Sequence, residues 1–222
     1  MQADASVARR DRPGKTTATV AREEQVAQIL RPALNVCVWR RGLAPTLDAW
    51  LHRLARDLVH DIALRASFDH GSILSLFSGL PVGEESRAWT ADVTGLAALF
   101  SRLTGSASFQ ASLATVETNK CRKFHTDYKR LRLVCTYAGP GTEWVDDRDV
   151  DRDALGHEES CFDTANARIV PHGRNIQRAR PGDVVLLKGE LFPGNAGRGA
   201  VHRSPPIEGT GERRIVLTLD TQ

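Results

Sequence analysis

Apolar residues recur at helical spacing in three places along the first half of the chain. Val26 and Ile29 lie in a stretch from about Glu23 to Leu30, which Pro32 ends. Leu47, Trp50, Leu51, Leu54 and Leu58 define a second helix beginning near Thr46, after Pro45. Val93, Leu96, Phe100 and Leu103 share one face of a third, with Asp92 as its expected cap and Thr104-Gly105 as its end. Between the first two, Asn35–Trp39 reads as a short strand. The segment 61–85 carries Gly and Pro and has no clear period.

After Gly105 the period changes from helical to alternating. Strands are expected at Phe109–Glu117, Arg130–Tyr137, Ala167–Val170, Asp183–Lys188 and Arg213–Asp220. In the second of these, Leu131, Leu133, Cys135 and Tyr137 share a face opposite Arg130, Arg132, Val134 and Thr136. Short strands with few helices between them suggest an antiparallel sandwich or open barrel. The expectation is an α+β chain: a polar, basic, frayed tail over 1–18, a helical region over 19–104, and a β-rich region over 105–222.

Composition narrows the setting. The 222 residues are 41% apolar and 26% charged, which suits one compact domain and excludes collagen-like, coiled-coil and wholly disordered chains. No apolar run approaches the ~18 residues of a membrane span, and the first residues lack a signal-peptide core. A cytoplasmic protein without membrane contact is expected. A net charge of +3 is too small to indicate nucleic acid. Four cysteines at 37, 121, 135 and 161 form no CxxC pair and read as reduced thiols. No Walker loop, dinucleotide fingerprint, GxSxG elbow or HExxH helix is present. Asp146–Asp153 alternates aspartate with other residues but lacks the glycine and closing glutamate of a calcium loop, so it reads as a solvated, salt-laced segment.

Phe124-His125-Thr126-Asp127 stands just before a strand. Residues two apart in extended chain point to one side, so His125 and Asp127 can converge on one point. As isolated residues they are more often a capping or hydrogen-bonding pair. His202, after the Asp183–Lys188 strand and a glycine-rich crossing, is the best third partner. Two imidazoles and a carboxylate make a facial triad suited to Fe(II) with open coordination positions. Arg213 and Arg214 open the last strand. If its more apolar face, with Ile215, Leu217 and Leu219, lines the pocket, then Arg213 points inward and needs an anion. Two surface arginines pairing with Glu212 or Asp220 are the alternative.

The pattern His125-x-Asp127, a strand opened by Gly182-Asp183, His202 and an arginine eleven residues later resembles the 2-oxoglutarate- and Fe(II)-dependent oxygenases, the phytanoyl-type members most of all. That resemblance implies a double-stranded β-helix (a cupin-like jelly roll) over 105–222, with the N-terminal helices packed on it. It implies His125, Asp127 and His202 as iron ligands, and Arg213 or Arg214 as partner of the distal carboxylate of 2-oxoglutarate. The runs Cys121–Tyr128, Tyr137–Trp144, Leu187–Glu190 and His202–Pro206 resemble a bacterial family of unknown function, number eighteen twenty-six, across most of the chain. Members are often encoded near zinc-homeostasis proteins, which implies a metal role and a metal-homeostasis partner.

Two further readings follow. Lys120, Arg122, Lys123, Lys129, Arg130 and Arg132 cluster at the expected rim, favouring an anionic small-molecule substrate over solvated side chains only weakly. The alternative function is Zn(II) binding without oxidation, in an accessory or sensor protein. There Cys121, four residues before His125 and flanked by basic residues, is the candidate thiolate for metal or redox chemistry. Cys37 and Cys135 read as inert core thiols. His52, His60, His70, His157 and His172 have no spacing that selects them. Tyr128 is a candidate support for the ligands and Trp144 a candidate pocket wall, each equally a packing residue.

Overall fold

The computed structural model describes residues 14–57, 64–67, 73–77, 80–118, 121–171 and 173–221. Most of the expected tail, His60, His70, Lys120 and His172 lie outside these. The fold is α+β, with N-terminal helices and mixed β-sheets. Its strands are β1 (Thr17–Val20), β2 (Val36–Trp39), β3 (Leu64–Ser67), β4 (Gln110–Val116), β5 (Leu131–Ala138), β6 (Glu143–Trp144), β7 (Gln177–Arg178), β8 (Val184–Lys188), β9 (His202–Arg203) and β10 (Arg214–Asp220). Seven form one sheet in the order β1-β2-β8-β5-β10-β4-β3, antiparallel except for β1 with β2; β7-β6-β9 form a small second sheet.

The helices α1 (Pro45–Asp57) and α2 (Glu84–Thr104) cover one face of the large sheet. Their Leu47, Leu51, Leu54, Trp89, Val93, Leu96 and Phe100 meet Leu133, Cys135, Tyr137, Leu186, Leu217 and Leu219 in a single core. The alternation expected for β5 therefore holds, and Cys37 and Cys135 are core thiols, both pushed up in pKa by burial. On the other face Val36, Val38, Val134, Val185, Leu187 and Val216 pack against Trp144, Ala179 and Ala200. Both faces of the central strands are covered.

Several expectations need correction. Thr17 and Ala18, expected in a frayed tail, pair with Val36 and Cys37. The cause is Asp146, whose buried Oδ2 accepts the Thr16 and Thr17 amides at 3.0 and 3.1 Å. The acidic segment is thus salt-laced but buried at its start. Asp92 is not a helix cap. It lies within α2, where Arg41 donates to it at 2.5 and 2.8 Å and the Tyr137 hydroxyl at 2.6 Å. α2 does end at Gly105, in the left-handed conformation. Glu23–Leu30 is a 3-10 helix. Ala167–Val170 is no strand: Ala167–Ile169 completes the helix α3 (Phe162–Ile169), which buries Ala165 and Ile169 at helical spacing.

Candidate metal centre

His125 and His202 face each other across an isolated antiparallel bridge. Each amide donates to the other's carbonyl at 3.0 Å. Such a mutual pair sends both side chains to one face, and the ring centroids lie 4.6 Å apart. Asp127, two residues after His125, returns to the same side. Its Oδ2 is 3.3 Å from His202 Nε2, and its Oδ1 is 3.8 Å from His125 Nε2. One ligand atom from each of the three lies within 4.8 Å of the other two. Backbone packing holds the ligand loop: a Cβ on Gly189 would collide with the carbonyl oxygens of Asp127 and Lys129.

The surroundings turn this trio into a donor set. Each ring Nδ1 lies against the carbonyl two residues earlier, Lys123 at 2.8 Å and Ala200 at 3.0 Å. A carbonyl only accepts, so Nδ1 carries the proton and Nε2 presents its lone pair inward. Asp127 Oδ2 is buried and meets no aligned hydrogen-bond donor. Its charge is answered by Arg132 Nη1 at 2.8 Å. Burial opposes ionisation of Asp127, yet the His202 ring, when it carries a second proton on Nε2, and the Arg132 guanidinium hold its carboxyl well below the usual range. Burial, then the neighbouring His202, lowers the His125 pKa. Two imidazole Nε2 atoms and one ionised carboxylate facing one point fit a divalent cation. Among the described residues no fourth such group joins them.

His125 and His202 line a cavity of about 350 Å³ together with Arg132, Arg214, Thr142 and Thr218. Arg214 is 2% exposed and donates to Thr136 Oγ1 at 3.3 Å and Thr142 Oγ1 at 3.4 Å. Its Nε has no partner, and no described carboxylate lies within ion-pair distance. Burial pushes its pKa down to about 10. The strand end is set by Gly139 (φ 75°), where a Cβ would strike the Arg213 carbonyl oxygen.

Arg213 does not point inward. Its Nε pairs with Glu117 at 2.7 Å on the outer side. The expectation failed because the more apolar face of β10 packs under the helices, whereas the face with Arg214, Val216 and Thr218 lines the cavity. Tyr128 is 77% exposed. Trp144 is buried in the core between the sheets, opposite His202 in register, and does not line the cavity. Cys121 lies at the cavity wall with φ 62° but outside the ligand trio. Within the basic rim, Arg122 pairs with Asp163, Lys123 donates to the Leu155 and His157 carbonyls, and Arg132 holds Asp127 and Asp220. His52 is a surface residue of α1. Glu143, paired with both Arg178 and Arg203, is a buried group that sequence reasoning missed; its place in the Tyr137–Trp144 run was the available signal.

The model of the family described as protein of unknown function (DUF1826) matches residues 21–220. This chain belongs to the DUF1826 family. Solved structures similar to this DUF1826 protein include the rice dioxygenase for auxin oxidation, at 14% identity over 93% of this chain and 82% of that one, TM-score 0.49. Dioxygenase for auxin oxidation 1 from Arabidopsis thaliana, in complex with 2-oxoglutarate, is 12% identical over 92% and 91%, TM-score 0.46. A Pseudomonas putida prolyl-4-hydroxylase is 13% identical over 90% and 97%, TM-score 0.43. No curated protein matches the chain.

Proposed function

We propose that this DUF1826 protein is an Fe(II)- and 2-oxoglutarate-dependent oxygenase acting on a small molecule. The observation that carries this reading is Arg214: a buried guanidinium, without a carboxylate partner, entering the same cavity as a two-histidine, one-carboxylate trio. A closed zinc site has no use for a second, unpaired cation. It also needs a fourth protein ligand, and no thiol joins the three described here.

On this reading β4 to β10 are walls of a double-stranded β-helix over 105–222, and the N-terminal part braces it with α1, α2 and the strands β1, β2 and β3 that extend the large sheet on both sides. His125, Asp127 and His202 hold the ion, their Nδ1 contacts and Arg132 fixing the direction of each donor atom. Arg214, with the Thr136 and Thr142 hydroxyls, receives the distal carboxylate of the ketoacid. Val134 and Val216 keep that wall dry, which strengthens the charge pairing. When bound, iron and 2-oxoglutarate together supply the electrons that activate O₂ for substrate oxidation. Four free thiols, two of them exposed, suit a reducing compartment such as the cytoplasm. A metal-homeostasis protein is the partner suited to delivering the ion.

Anaerobic addition of Fe(II) and 2-oxoglutarate tests this by absorbance. A visible metal-to-ligand charge-transfer band supports the oxygenase reading. Tight zinc with neither ketoacid binding nor ketoacid decarboxylation supports the zinc-binding accessory instead.

A further inference from the structure

The guanidinium of Arg132 lies between two carboxylates. Arg132 and Asp220 are partners in register across β5 and β10, and they meet side-on, Nε to Oδ1 at 2.6 Å and Nη2 to Oδ2 at 2.7 Å. That fork fixes the guanidinium plane, because two parallel bonds leave it no rotation. The remaining nitrogen, Nη1, is thereby held 2.8 Å from Asp127 Oδ2, a close ion pair without an aligned hydrogen bond. All three side chains are largely buried, so solvent screens the pairing little.

We propose that Arg132 is a positioning residue that restricts Asp127 to binding its cation through a single oxygen. A carboxylate pinned on one side cannot turn to offer both oxygens equally to one ion. The consequence is a count of open positions. An octahedral ion with three protein ligand atoms keeps three positions free. A chelating ketoacid and O₂ together require all three, and a chelating Asp127 would take one of them. The inference rests on the oxygenase reading for this consequence, but the clamp itself needs only a metal.

The test is anaerobic Co(II) titration of the full chain, read by affinity and by the visible d–d absorption, which reports ligand geometry. Arg132→Met is expected to weaken Co(II) binding about 10–100-fold, the usual loss when an outer partner of a ligand is removed, and to change the d–d envelope. Arg132→Lys keeps the charge without the fork and is expected to recover part of the affinity; Asp220→Asn is expected to fall between. Parent-like affinity and spectrum in folded Arg132→Met overturn the clamp. If that variant does not fold, parent-like spectra from both Arg132→Lys and Asp220→Asn overturn it. A parent that binds no Co(II) refutes the metal centre itself, whereas a parent that binds Co(II) but no ketoacid refutes only the oxygenase reading.

Discussion

The two faces of β10 do different work. Ile215, Leu217 and Leu219 have no exposure and lie in the core beneath the helices. Arg214, Val216 and Thr218, alternating with them, form the cavity wall opposite the histidines. The apolar face supplies stability through close packing, where each missing methylene is felt. The mixed face accepts an unpaired guanidinium that no packing argument favours. A site wall on a strand is therefore marked by the less hydrophobic alternation, provided the other face is already committed to a core.

Substitutions on the two faces sharpen this contrast. The largest effect belongs to the ligands: His125→Ala and His202→Ala should each weaken Co(II) binding by more than about 100-fold, beyond the loss typical of an outer partner. Retained Co(II) affinity in either would break the assignment. Next, Leu217→Ala should lower the unfolding free energy by about 2–5 kcal/mol, measured by urea denaturation, while metal affinity stays within about 3-fold of the parent. A small stability change would mean that the helix-covered face is not the principal core. Third, Arg214→Met should weaken 2-oxoglutarate binding about 10–100-fold, as expected for a buried charge-assisted pair worth about 1.5–3 kcal/mol, and should spare Co(II). Arg213→Met should leave ketoacid binding unchanged. The reverse result would restore the apolar face as the pocket.

The smallest effect lies at Lys188, on the helix-covered side of β8. Its ammonium is buried, donates to the Arg31 carbonyl at 2.7 Å and sits 4.4 Å above the Phe192 ring. Burial, then nearby Arg198, lowers its pKa from 10.5 to about 8. Between these values the unfolded chain binds more protons than the folded one, so stability rises with pH. Thermal melts of Lys188→Met should lose that part of the rise between pH 8 and 10.5. A variant with the parent's slope would contradict the shift.

The parts legible in the sequence were those with local causes. His125 and Asp127 are two residues apart, and strand alternation alone aligns them. Leu131, Leu133, Cys135 and Tyr137 declared their face by period. His202 was legible as a donor type near a strand, though only the bridge to His125 shows how the two meet. The rest depended on distant partners. Asp92 looks like a cap until Arg41 and Tyr137 converge on it, and Thr17 looks like tail until Asp146 captures its amide. Arg132 read as one more basic residue, because Asp220, which fixes its guanidinium beside Asp127, lies 88 residues further along the chain. Arg213 and Arg214 were indistinguishable without knowing which face the helices cover.

The central claim is that one cation sits among His125, Asp127 and His202 in the cavity that Arg214 enters. Anomalous diffraction from crystals grown anaerobically with Co(II) and 2-oxoglutarate tests it directly. The account predicts one peak about 2.0–2.2 Å from both Nε2 atoms and from one oxygen of Asp127, the bond lengths of such donors to a divalent ion, with the ketoacid's far carboxylate on Arg214. A peak elsewhere in the chain, or a carboxylate that leaves Arg214 unpaired, would contradict it.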